Sequence, residues 1–243
     1  IPIGAPKKAA KFKTPNRVDL SATVWQNKIG TPATMFKGAK PAATVGRPMS
    51  KFLTGEFKDV TQFARKQVEP GKLRTAFEAM RVAPSSKNRQ PWRWILVKDK
   101  ATKQRIAKAA KDRTLADAPV VAVLAGSLGQ PPARFGSQVK KDPHNKFKVN
   151  GKLTHFFMKH DVSCAIANLR TGLEAQGVST RIAMFNSRGE SKVRAAMSGG
   201  RAISSKKMMF MGAVGIGYAA KATTRRAPAM PRTRVFTGKY GRK

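Results

Sequence analysis

The residues with the most chemistry to offer are cations. Lys and Arg number 49 against 12 Asp and Glu, a formal net charge of +37 over 243 residues. Self-repulsion at this charge disfavours a compact free chain, so the composition predicts an anionic partner, and nucleic acid is the densest one. The strongest candidates for phosphate contact lie near the two ends: Lys7, Lys8, Lys11, Lys13, Arg17, Lys37, Lys40 and Arg47, then Arg225, Arg226, Arg232, Arg234, Lys239, Arg242 and Lys243. They stand among Pro, Gly and Ala in acid-poor stretches, which suits threading along a phosphate backbone. Aromatic residues are sparse, so contact through phosphates and shape is expected rather than base stacking.

Other chemistries are poorly represented. His155 and His160 flank Phe156-Phe157-Met158-Lys159 with no Asp, Glu or Cys at ligand spacing, so no metal site is expected. The single cysteine, Cys164, falls within an apolar-periodic run and reads as a small buried hydrophobe. Ser198-Gly199-Gly200-Arg201 lacks the Lys-Ser/Thr of a phosphate loop and reads as a turn. No stretch approaches the roughly 18 apolar residues of a membrane span.

A different polar constellation sits at Ala83-Pro84-Ser85-Ser86-Lys87-Asn88-Arg89-Gln90-Pro91-Trp92-Arg93-Trp94. A Pro-Ser turn followed by Asn suits a helix-to-strand connection in its own right. The flanking elements support that placement. Leu73, Ala76, Phe77 and Met80 form one apolar face of a helix over 72–82, and Trp94–Val97 reads as a strand. A basic helix over 101–113 and a strand buried on both faces over 119–125 follow. Residues 126–154 read as a polar excursion. Val162, Ile166, Leu169 and Leu173 then mark a helix stopping at Gly177, followed by a strand over 178–185, a helix over 190–197 and a strand over 207–218. The expected organisation is a basic extended arm over 1–52, a core over 53–220 and a second basic arm over 221–243. Trp25, Phe36 and Phe52 in the first arm are expected to anchor on a neighbouring molecule.

The Pro-Ser-Ser-Lys-Asn-Arg-Gln-Pro-Trp loop resembles that of the nitroreductase family of FMN-dependent enzymes. The likeness continues through Ala118-Pro119-Val120-Val121, the helix over 161–177 with Val178-Ser179-Thr180-Arg181-Ile182, and the closing Ile216-Gly217-Tyr218. It implies an α+β fold with a mixed sheet flanked by helices, a homodimer or a heterodimer with a related subunit, and Pro84, Ser85, Ser86, Asn88 and Gln90 as flavin-facing positions. The family holds the flavin phosphate on an Arg-x-Ser-x-Arg/Lys segment, which falls here on Phe57, Asp59 and Thr61. Both cations are missing, and Asp59 sets a carboxylate against a phosphate dianion.

Taken with the charge, this departure leads to the expectation of a catalytically inactive core without cofactor or metal. The chain is then expected to be a structural constituent of a mitochondrial ribosome, contacting rRNA and other ribosomal proteins. The acid-poor start without Met fits a matrix protein whose targeting peptide has been removed. An active FMN-dependent NAD(P)H oxidoreductase is the alternative, and a ribosome-assembly or nucleoid factor the third reading.

Overall fold

The computed structural model describes residues 20–28, 31, 33–36, 38–40, 59–128, 151–197 and 208–223. Its organising element is the apolar run Val120–Ser127 (β4), which pairs with Trp92–Val97 (β3) on one side and Met208–Gly217 (β6) on the other. Ser179–Met184 (β5) adds beyond β6, and Val24–Gln26 (β1) adds in parallel beyond β3, giving the order β1-β3-β4-β6-β5. The remaining pairings in this sheet are antiparallel, so the sheet is mixed, as expected.

Alternate side chains of β4 belong to opposite layers. Val120, Ala122 and Leu124 join Trp92, Trp94 and Leu96 beneath the helices Pro70–Arg81 (α2) and Gly151–Glu174 (α5). Val121, Val123 and Ala125 join Ile95 and Val97 beneath Lys100–Ala110 (α3) and Ser187–Met197 (α6). A strand covered on both faces must be apolar at successive positions, which is why this run carries no polar alternation. Short helices at Leu20–Thr23 (α1) and Thr114–Asp117 (α4) complete the set.

Local chemistry explains where the helices begin and end. Pro70 opens α2 at a position that needs no N–H donor. The Asp99 carboxylate accepts from the Thr102 N–H at 2.7 Å and caps α3. Beyond α5 the chain turns at Gly177, whose φ of 72° is the left-handed conformation expected of a helix stop.

A small antiparallel ribbon joins Asp59–Phe63 (β2) to Ala219–Thr223 (β7), bringing together segments about 160 residues apart. Tyr218 pins this end of the core to α2. Lys72 Nζ donates to the Tyr218 hydroxyl at 2.8 Å, the hydroxyl donates to the Glu69 carboxylate, and Lys66 Nζ stands 4.4 Å above the ring.

Several expectations need correction. Residues 20–26 are not an extended arm: Leu20 and Val24 are buried and β1 is a sheet strand. Phe36 packs on Phe77 with ring centroids 5.8 Å apart, and Trp25 packs against the core, so both anchor on their own chain. The polar excursion ends earlier than expected, because α5 already begins at Gly151. Cys164 is exposed, since Val162, Ala165 and Leu169 turn the inward face of α5 away from it. Phe52 and the basic residues named for phosphate contact, other than Lys40, which is exposed, lie outside the described residues.

Helices α3 and α6 cross closely at Gly189. A methyl there would lie 2.5 Å from the Ala109 carbonyl oxygen, a backbone atom of α3. Overpacking costs about 1–3 kcal/mol, whereas helix propensity favours Ala over Gly by at most ~1 kcal/mol. Gly189→Ala is therefore expected to lower stability in urea denaturation, and a gain would show that the two helices do not meet as described.

Candidate active site

The Pro-Ser loop joins α2 to β3 through a single 3-10 turn at Ser86–Asn88. Its first backbone N–H has no partner within the turn and is satisfied from a distant part of the chain: Ser86 N–H donates to Asp161 Oδ1 at 2.7 Å, and the Ser86 hydroxyl donates to the same oxygen at 2.9 Å. Asp161 sits on α5 at i, i+4, i+8 spacing with Ala165 and Leu169, and all three are buried. Burial raises its carboxyl above the ordinary aspartate range, opposed by the Ser86 hydrogen bonds and by the positive fields of Arg89 and His160.

The other end of the loop is held by a buried cation. Arg93 Nη1 donates to the Gln90 carbonyl at 3.0 Å and to the Trp92 carbonyl at 2.7 Å. No carboxylate accompanies it among the described ion pairs, and burial pushes the guanidinium down to about 10. Between the supports the backbone adopts left-handed φ at Asn88 (54°) and Gln90 (49°). Asn tolerates this conformation, whereas at Gln it costs about 1–2 kcal/mol. Strain held by two buried charged groups marks a loop whose shape is imposed by its surroundings.

Of the positions named from sequence, Pro84 and Asn88 are exposed and Ser85 and Ser86 are half-buried. Ser85 Oγ accepts from the Gln90 N–H at 3.0 Å. Gln90 differs from the expectation. Its side chain is buried and donates to the Asn88 backbone and side-chain oxygens at 3.2 Å, so it supports Asn88 from within.

At the segment compared with a phosphate site, Phe57 lies outside the described residues and Asp59 is placed by its backbone opposite Thr223. The Thr61 hydroxyl donates to the Lys221 carbonyl at 3.3 Å. Lys221 itself stands opposite Gln62 on β7 and is exposed, so the ribbon brings a cation beside a segment that looks deficient in sequence. No cluster suited to a metal occurs among the described residues.

Asp161, Arg93 and Lys221 were not singled out from the sequence. The first two carried a legible signal, a charge on the inward stripe of a helix and a charge inside the strand Trp92–Val97. Lys221 carried none, because its relevance arises only from pairing across the ribbon.

Asp161→Ala removes the acceptor of both Ser86 bonds and should destabilise the protein by about 1–3 kcal/mol. Asp161→Asn keeps a carbonyl oxygen in place and should recover most of that loss. The folded state binds the Asp161 proton more tightly than the unfolded chain does, so wild-type stability declines as pH rises from the ordinary aspartate range through the raised value. Denaturation at a series of pH values should show this decline reduced in Asp161→Asn; an identical decline in both proteins would assign it to other groups.

Comparison with known proteins gives a consistent result. The nitroreductase family pattern matches residues 58–218. A curated NADH dehydrogenase of Thermus thermophilus is 39% identical over 72 residues, a stretch covering 29% of this chain and 35% of that protein. The matched stretch thus spans about a third of that relative's length. Among solved structures, nitroreductase A of Vibrio parahaemolyticus superposes with a TM-score of 0.65 at 13% identity, over 81% of this chain and 77% of that one. An FMN-dependent nitroreductase of Clostridium difficile gives a TM-score of 0.58 at 17% identity, over 79% of this chain and all of the other. At these identities the superpositions establish the fold.

The extent of the family match overturns the expectation of a ribosomal constituent that is neither an enzyme nor a holder of a cofactor. That expectation rested on the missing cations at Phe57 and Thr61, and the ribbon supplies Lys221 beside the same segment. The chain belongs to the nitroreductase family.

Proposed function

We propose that this protein is an FMN-dependent oxidoreductase that accepts electrons from a reduced nicotinamide and passes them to a small acceptor such as a nitro compound. The observation that carries the reading is the loop over 84–90, strained at Asn88 and Gln90 and fixed from beneath by Asp161 and Arg93. A planar cofactor needs such a shaped rim, because positioning is what the protein contributes while the cofactor supplies the hydride chemistry. Family membership and the names borne by the relatives support the same activity.

The residues present fit FMN on two counts. Pro84 and Asn88 offer an exposed apolar and amide edge, and the half-buried Ser85 and Ser86 add hydroxyl oxygens behind it. At the phosphate end Lys221 would meet the dianion, in place of the cations absent at Phe57 and Thr61. Ser86 and Gln90 have internal tasks in this arrangement. Ser86 ties the loop to α5, and Gln90 orients Asn88.

A second copy of the chain is the natural partner. Phe156 on α5 is 54% exposed, with Phe157 meeting it edge-on and His160 tilted against it at centroid distances of 5.5 and 4.3 Å. An aromatic group of this kind on a water-facing helix suits burial against another subunit. The inward side of the same helix is already covered by α2, so the exposed group at its N-terminal half is where the partner is expected.

The test compares FMN with riboflavin, which lacks the phosphate. The full-length protein should bind FMN stoichiometrically, read from the visible flavin band, and oxidise a reduced nicotinamide when it does. Lys221→Gln should weaken FMN by about tenfold, the scale of one charge-assisted hydrogen bond, and leave riboflavin affinity unchanged. Equal weakening of both flavins would remove Lys221 from the phosphate site, and absence of flavin binding would overturn the oxidoreductase reading.

A further inference from the structure

Helices α3 and α6, on the face of the sheet opposite the long helix α5, enclose a surface groove of about 260 Å³. Arg105, Lys108 and Lys192 line it, above a floor formed by Ile106, Ala109 and Val193. No carboxylate is among the lining residues. Arg105 and Lys108 are three residues apart on α3 and therefore share a face of that helix, and Lys192 faces them from α6. All three are exposed.

The acidic groups on the neighbouring elements are mostly committed elsewhere. Asp99 caps the start of α3, its charge also reaching Arg105, and Asp112 accepts from Arg181 Nε at 2.7 Å. Asp117 acts on Lys103, which is already turned to the Ala118 carbonyl at 2.6 Å. Glu190 pairs with Arg194 and accepts from the Phe210 N–H at 3.1 Å. The groove cations thus keep their charge facing solvent, in a chain whose net charge is +37.

We infer that this groove binds a single nucleic-acid strand through its phosphates. The inference does not depend on the oxidoreductase reading and goes beyond it. Three observations select this occupant. The floor is already covered, with Ile106 at 0%, Val193 at 1% and Ala109 at 8% exposure, so an amphipathic helix or a lipid surface would bury little apolar area by docking there. What remains for recognition is a row of cations in a narrow channel, complementary to a flexible chain of regularly spaced anions. No aromatic residue lines the groove, so bases gain no stacking platform and binding is expected to be independent of sequence.

The experiment measures binding of a fluorescein-labelled 20-nucleotide oligouridylate to the full-length protein at a series of salt concentrations. Each phosphate contact on a single strand contributes about −0.7 to the slope of log K against log salt. Replacing Arg105, Lys108 and Lys192 together by Gln should therefore make the slope shallower by about 2. A variant with the same loss of charge elsewhere, Lys28, Arg65 and Lys159 to Gln, should change it by less than half as much. Equal effects of the two variants would trace binding to overall charge and overturn the groove assignment, as would an unchanged slope in the first.

Photo-crosslinking of the unaltered protein to a 4-thiouridine oligonucleotide gives a readout free of any substitution. Adducts within residues 100–111 and 187–197 support the proposal, and their absence there overturns it. Competition by poly-L-glutamate at equal charge concentration closes the remaining route. Displacement as effective as that by unlabelled oligouridylate would make the groove a site for acidic protein instead.

Discussion

Burial of β4 on both faces is the constraint from which the rest of this structure follows. Six successive residues, Val120 to Ala125, are at most 1% exposed. A strand in that position cannot lie at an edge or face water, so it needs sheet partners on both sides and a helical layer above and below. β3 and β6 meet the first need; α2 with α5 and α3 with α6 meet the second. The two layers then diverge. The α2/α5 layer carries the strained loop and its Asp161 support, whereas the α3/α6 layer presents cations to solvent.

The loop shows how a small site depends on this larger arrangement. Its geometry is unfavourable in isolation, with Gln90 in a left-handed conformation and a turn whose first N–H lacks a local partner. What holds it is a carboxylate projecting from α5 and a guanidinium projecting from β3, both removed from water. Each buried charge is costly alone, and each is tolerated because it completes hydrogen bonds that the loop itself leaves open. Sheet, long helix and loop are thus mechanically one unit.

Much of this was legible in the sequence, and the misses have physical causes. The apolar run of β4, the stripe Leu73-Ala76-Phe77-Met80 and the stop at Gly177 read correctly because burial and backbone conformation act on residue type directly. The loop was conspicuous through its Pro, Ser and Asn. β1 was not visible, because a three-residue edge strand has no period of its own and exists through its pairing with β3. Cys164 was misplaced because an apolar run does not by itself say which side of a helix a given position occupies. The weight given to the missing cations at Phe57 and Thr61 was likewise misplaced. Sequence order conceals a lysine that arrives from the far end of the core by strand pairing.

That pairing has a consequence for biosynthesis. β2 leaves the ribosomal exit tunnel early, while β7 follows roughly 160 residues later. At about 5–20 residues per second the first strand waits on the order of ten seconds or more for its partner. During that interval the loop over 84–90 and its α5 support can already assemble, but the ribbon cannot. The ribbon is therefore completed late in the life of the nascent chain, and a truncation just before Ala219 would leave the sheet's order intact while removing Lys221 from beside β2.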